Sequence, residues 1–308
     1  MKTRPVTYDE FVERMALVFP PGNDINQTFR PRPTDVIISP FAKCGTTWLQ
    51  QIVHGLRTGG DMDFEDIYDV VPWIDVAREL GHDLDGDQRA EPRAFKSHCS
   101  WDEVPKGCRY IVSFRDPKDV ALSMYRFMEG WWFEPGTIPI DEFVERRSFD
   151  RETGPDYWHH LGSWLSQRDN PDVLLITYEE MKDDLRGIIE AIADFIGIEA
   201  DQARLDIATR QSSYEFMSRN KGPFAEPLIR ARSEDVADLP PGSDAAKVRT
   251  GSVGDHRHDL PPAMLARFDE IWANTIEAEY GYSTYLDLAT DLRSDPPNRL
   301  QTGTHKAT

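Results

Sequence analysis

Lys43, Gly45, Thr46 and Thr47 crowd one short stretch of the chain, and Trp48 follows at once. Those residue types at that spacing suit an anion. A glycine loop that opens a helix aims backbone N–H groups at a ligand, and the helix dipole adds positive potential. Gly45 lets the backbone come close. Lys43 adds a mobile charge, and the two threonine hydroxyls add donors. Further along, His98 sits two residues after Lys96, and a histidine with a near-neutral pKa suits a general base acting on an alcohol. Arg115 offers planar, bidentate phosphate contacts, and Ser123 follows it by eight residues.

The elements that must position these groups are legible in the apolar pattern. Asp35–Ser39 reads as a buried strand, and Leu49, Ile52, Val53 and Leu56 read as one face of the next helix. Arg93–His98 is a short candidate strand, Arg109–Phe114 a stronger one, and Val173–Thr177 a third buried run. Asp116-Pro117 is an N-cap followed by proline at the first helical position, opening a helix through Val120, Ala121, Met124 and Phe127. Helices are also expected over 8–18, over 156–168, through about 211 and over 261–279. Residues 222–262, rich in Pro, Gly, Ser and Asp, read as a long loop. Trp131-Trp132-Phe133 reads as an exposed aromatic run that either lines a pocket or packs a cap onto the sheet. Strands alternating with helices predict a single α/β domain over 1–290, a central parallel sheet flanked by helices, with a disordered tail over 291–308. A parallel sheet places ligands outside the carboxyl ends of its strands, where His98 and Arg115 fall.

Composition sets bounds. The 308 residues carry a formal net charge of −19, which disfavours nucleic acid and an anionic membrane surface. Three cysteines, Cys44, Cys99 and Cys108, lack the paired short spacings of a zinc site or disulfide framework. Asp255, His256 and His258 cluster without further ligands, so no metal is expected. No apolar run is long enough to span a membrane, and the N-terminus lacks an apolar signal core. The expected compartment is the cytoplasm.

The loop is not a nucleotide-triphosphate loop, which ends Gly-Lys-Ser/Thr; here the lysine precedes the glycine. Lys-Cys-Gly-Thr-Thr-Trp over 43–48 resembles the 5′-phosphosulfate loop of the cytosolic-type sulfotransferases, which use 3′-phosphoadenosine-5′-phosphosulfate (PAPS) and yield 3′-phosphoadenosine-5′-phosphate (PAP). Lys96-Ser97-His98 is similar to the family's Lys-Thr-His, whose histidine is the catalytic base. Arg115-Asp116-Pro117-Lys118-Asp119-Val120 with Ser123 is similar to the segment that binds the 3′-phosphate. Tyr178-Glu179-Glu180-Met181 resembles a segment whose tyrosine meets the adenine, with Trp48 as a stacking face and Ser212 to Met217 nearby. Lys247-Val248-Arg249-Thr250-Gly251 with Gly254-Asp255 resembles the segment that closes over the 3′-phosphate.

The resemblance therefore implies His98, Lys43 and Lys96 as catalytic residues. It implies cofactor contacts from Lys43, Cys44, Gly45, Thr46, Thr47, Trp48, Arg115, Ser123, Tyr178, Ser212, Met217, Val248, Arg249, Thr250 and Gly251. The chain departs from the family at Cys44 (serine), Thr250 (lysine) and His256 (tryptophan), and the animal enzymes' dimerisation motif is not recognisable. The expected acceptor is a small hydrophobic alcohol, phenol or glycolipid headgroup, with an amine as a further option. The competing readings are a nucleotide-dependent kinase on a related loop and a non-catalytic PAP/PAPS-binding protein.

Overall fold

A computed structural model describes residues 2–20, 29–150, 156–242 and 253–294. Four parallel strands form the sheet: β1 (Val36–Ile38), β2 (Ala94–Lys96), β3 (Arg109–Phe114) and β4 (Val173–Thr177), in the order β2-β1-β3-β4. Val36 pairs with both Ala94 and Arg109, and Tyr110 pairs with Val173. Every residue of β1, β2 and β4 is buried, as is all of β3 beyond Arg109. Successive side chains point to opposite faces, so both faces are covered. At the start of β1, Asp35 accepts from Arg93 Nε at 2.9 Å and Nη2 at 2.6 Å, a buried bidentate pair that ties β2 to β1.

The chain leaves β1 for β2 on one side and then crosses to β3 on the other. That reversal opens a crevice at the carboxyl ends of β1 and β3. Helix α2 (Thr46–Thr58) starts from Gly45 at φ 98° and stops at Gly59 at φ 70°. Helix α3 (Pro117–Trp131) follows β3 directly, and Asp116 caps it by accepting from Lys118 N at 2.8 Å. Around the sheet lie α1 (Tyr8–Val18), α4 (Tyr157–Leu165), α5 (Leu185–Ile196), α6 (Gln202–Gln211), α7 (Pro227–Val236), α8 (Pro262–Trp272) and α9 (Tyr285–Ser294).

Three expectations need correction. Residues 222–262 are not one long loop: α7 packs against α1, and a short turn of helix covers His256–Asp259. Proline at the first helical position starts α7, so proline initiates a helix within a stretch whose composition reads as loop. Trp131, Trp132 and Phe133 are buried rather than exposed. Phe133 joins an aromatic cap with Phe11 and Phe143, and the two tryptophans line a cavity. The helix at the end of the domain passes through a wide turn at Ala273–Glu277 and ends at Tyr280, and α9 then runs to Ser294. Leu288 and Leu292, four residues apart, hold α9 down, so helix continues past the boundary at 290. Residues 295–308 lie outside the described residues.

Candidate active site

The loop between β1 and α2 is held from β3. Ser113 Oγ donates to the Cys44 carbonyl at 2.5 Å, and Arg115 Nη1 donates to the Lys43 carbonyl at 3.0 Å. Lys43 takes a left-handed φ of 73°, and its ammonium lies 3.9 Å from the centre of the Phe127 ring. Gly45 also has a positive φ, and a Cβ there would stand 3.2 Å from Tyr178 Cδ2. No side chain caps the start of α2, which leaves the first-turn N–H groups to face a ligand.

Cys44 turns inward. Its N–H donates to the Phe41 carbonyl at 3.1 Å, and burial pushes its thiol up to about 12. It shapes the loop and does not line the cavity that Lys43 and residues 45–48 line. Trp48 Nε1 donates to the Ser212 carbonyl at 2.7 Å, and its ring meets Tyr178 edge-on at 5.7 Å. The Arg115 guanidinium covers the Tyr178 ring at 4.4 Å. Ser123 and Met217 line the same cavity. Val248, Arg249, Thr250 and Gly251 lie outside the described residues. Just past them, Asp119 of α3 accepts from Gly254 N at 2.8 Å and from His256 Nδ1 at 2.7 Å. Burial alone would raise the Asp119 carboxyl, but these two bonds outweigh it and hold it below its ordinary value. His256 thus serves Asp119.

At the end of β2 the second group assembles. His98 Nδ1 lies 2.7 Å from the Pro40 carbonyl. Asp75 accepts from His98 N at 2.9 Å and from Ser97 Oγ at 2.7 Å, and its own carboxyl is raised by burial against those bonds. The Trp73 ring stands edge-on to the imidazole at 5.3 Å. Lys96 is fully buried. Its ammonium donates to Tyr68 Oη at 2.6 Å and to Glu226 Oε1 at 3.4 Å, and it lies 3.4 Å from the Trp73 ring centre. Tyr68 donates in turn to Glu226. No local motif marks the individual roles of Asp75, Tyr68, Trp73 and Glu226, although they fall in segments, 64–76 and 222–245, whose aromatic and apolar content suggests a pocket wall.

Lys43, Lys96, His98, Arg115, Ser123, Tyr178 and Ser212 all face one cavity of about 990 Å³. The residues fit an anionic nucleotide. Thr46 Oγ1 and Ser212 Oγ are buried without a hydrogen-bond partner among the described residues, an arrangement that a polar ligand would complete. Lys43 and Arg115 supply cations beside the uncapped helix start.

Known proteins give the same answer. The family model for the sulfotransferase domain matches residues 33–279. Human sulfotransferase 1C2 is 26% identical over 264 residues, covering 82% of this chain and 86% of its own. Bovine sulfotransferase 1E1 is 28% identical over 278 residues, covering 85% and 87%. The firefly Photinus pyralis luciferin sulfotransferase is 26% identical over 281 residues, covering 79% and 72%. Among solved structures, mouse sulfotransferase SULT7A1 complexed with PAP has a TM-score of 0.64 at 22% identity, covering 89% of this chain and 94% of that one. With its loop, its strand-end motifs and the family match over residues 33–279 in agreement, the chain belongs to the PAPS-dependent sulfotransferase family.

Proposed function

We propose that this protein transfers a sulfuryl group to the hydroxyl of a small acceptor with an apolar body, and that His98 is the general base. The observation that carries this reading is the 2.7 Å contact between His98 Nδ1 and the Pro40 carbonyl. A carbonyl only accepts, so Nδ1 bears the proton and the neutral ring keeps its lone pair on Nε2. That nitrogen is the one suited to take the acceptor's proton. Asp75 fixes the strand end that carries the ring. PAPS, when bound, supplies the sulfuryl group on a phosphate leaving group. Lys43, residues 45–48, Arg115, Ser123, Tyr178, Ser212 and Met217 hold the nucleotide in this reading, and the resemblance adds Val248, Arg249, Thr250 and Gly251. Lys43 offsets negative charge at the loop. Lys96 assists from the acceptor side, its charge balanced by Glu226. Positioning and electrostatic stabilisation supply most of the rate.

The acceptor side is walled by Met15 of α1, by Phe19 just past its end, and by Phe127, Met128, Trp131 and Trp132. Such walls favour an apolar alcohol or phenol, or a glycolipid headgroup. Calorimetry with PAP, set against magnesium–ATP, tests the cofactor class. Magnesium-independent PAP binding is expected; preference for magnesium–ATP would overturn the reading in favour of a kinase. A turnover assay with PAPS and an acceptor panel then separates an enzyme from a non-catalytic binder.

A further inference from the structure

Arg146 and Arg147 are neighbours in the wide turn Glu145–Phe149, yet they meet different fates. Arg146 reaches Asp9 at 2.5 Å and Glu142 at 3.8 Å on the surface. Arg147 turns inward and lines the main cavity. It also lines a smaller adjoining pocket walled by Phe41, Val120, Met124 and Tyr157. Its guanidinium is half-buried and makes no hydrogen bond or ion pair with any described residue. Burial draws its pKa down, with only the Tyr8 hydroxyl opposing. The carboxylates of the acceptor side are engaged elsewhere: Asp75 with Ser97 and His98, Glu226 with Lys96 and Tyr68.

A guanidinium carried into an apolar wall without an acid is costly, and a carboxylate meeting it bidentately recovers that cost. The nucleotide has its own cations in Lys43 and Arg115 at the strand ends. Arg147 comes instead from the segment beyond α3 and sits close enough to Tyr8 of α1 for each to perturb the other's titration. That same helix supplies part of the acceptor wall.

We propose that Arg147 recognises a carboxylate-type anionic group on the acceptor, so that the substrate is a hydroxylated organic acid with an apolar body. The inference rests on the sulfotransferase reading above, and its test does not depend on turnover. Trp73, Trp131 and Trp132 line the cavity, so their fluorescence reports occupancy. The probes are ω-hydroxyalkanoates of graded chain length and their methyl esters, titrated with and without PAP. For the best-fitting length, the acid should bind at least about tenfold more tightly than its ester, as a charge-assisted hydrogen-bond pair provides. Arg147→Gln should erase that preference, Arg147→Lys should keep part of it, and both should leave PAP affinity unchanged. Esters that bind as well as acids in the native protein would overturn the proposal, with no variant needed. So would an acid preference that survives Arg147→Gln. Loss of PAP binding by the native protein would instead break the cofactor reading, which separates the two failures.

Discussion

The ammonium of Lys96 and the carboxylate of Glu226 meet at 3.4 Å in a corner of the cavity where both side chains are almost wholly buried. They stand 130 residues apart in the chain. Glu226 holds this place at a left-handed φ of 52°, an unusual conformation for glutamate. Removing one partner of a buried pair leaves an uncompensated charge. Glu226→Ala should therefore destabilise the fold by about 3–5 kcal/mol, and Glu226→Gln, which keeps an acceptor oxygen, should cost less. Urea unfolding measures both. A loss near zero for the alanine variant would mean that Lys96 reaches water.

His98→Ala should lower turnover roughly 100- to 10,000-fold, the usual range for a positioned general base. PAP affinity should survive, because the imidazole stands just past the end of β2 and not in the loop at 43–48. Steady-state kinetics beside calorimetry resolve the two. Retained turnover would remove His98 from the chemistry.

Arg115 links Lys43, Tyr178 and the start of α4, since its own carbonyl accepts from Tyr157 Oη at 2.5 Å. Arg115→Ala deletes the guanidinium but not that main-chain bond. PAP binding should weaken by about 10- to 100-fold, the equivalent of about 1.5–3 kcal/mol for hydrogen bonds to a charged group. Unchanged affinity in a calorimeter would break the phosphate assignment.

Gly45→Ala tests the loop backbone. The new Cβ would meet Tyr178 at 3.2 Å and would hold an alanine at φ 98°. Strain of about 1–3 kcal/mol is expected. If the loop relieves it by shifting, PAP affinity should fall along with thermal stability. A variant with native affinity and native melting temperature would show that the loop tolerates a side chain.

The stability of the protein should fall with acid through its buried histidines. His54 is lowered to about 4 by burial and by the neighbouring Arg57, and His160 to about 3 by burial. His160 Nε2 donates to the Ser39 carbonyl at 3.0 Å, while its Nδ1 is buried without a partner. Both native pKa values lie below the unfolded value of about 6.5. The unfolded chain therefore binds more protons between those limits. The stability is fully present above about pH 6.5 and is lost as pH falls toward about 4 for His54 and about 3 for His160. The slope should approach about 1.4 kcal/mol per pH unit for each group. Denaturant titrations across that window check it, and His160→Gln should flatten the curve. A flat native curve would mean that both rings take up protons in the folded state.

Much of the site was written locally. Gly45 opening a helix after a buried strand, proline after Asp116, and the order of Lys43, Lys96-Ser97-His98 and Arg115 identify the loop and strand ends, because a cap or a tight turn is decided within a few residues. The parallel sheet followed from strands alternating with helices. Local signals failed where packing between distant segments decided the outcome. Trp131 to Phe133 looked exposed because their burial depends on α1, more than a hundred residues earlier. Cys44 looked like a cofactor contact, but the turn to Phe41 claims its N–H.

The amino-acid sequence by itself thus determined the anion-binding loop, the candidate base and the family. Only the tertiary structure decided that Asp75 braces His98, that Glu226 claims Lys96 and that Arg147 faces the cavity. The physical reason is that a buried charge finds its partner through the meeting of helices, strands and turns far apart in the chain, and no spacing along the backbone encodes that meeting.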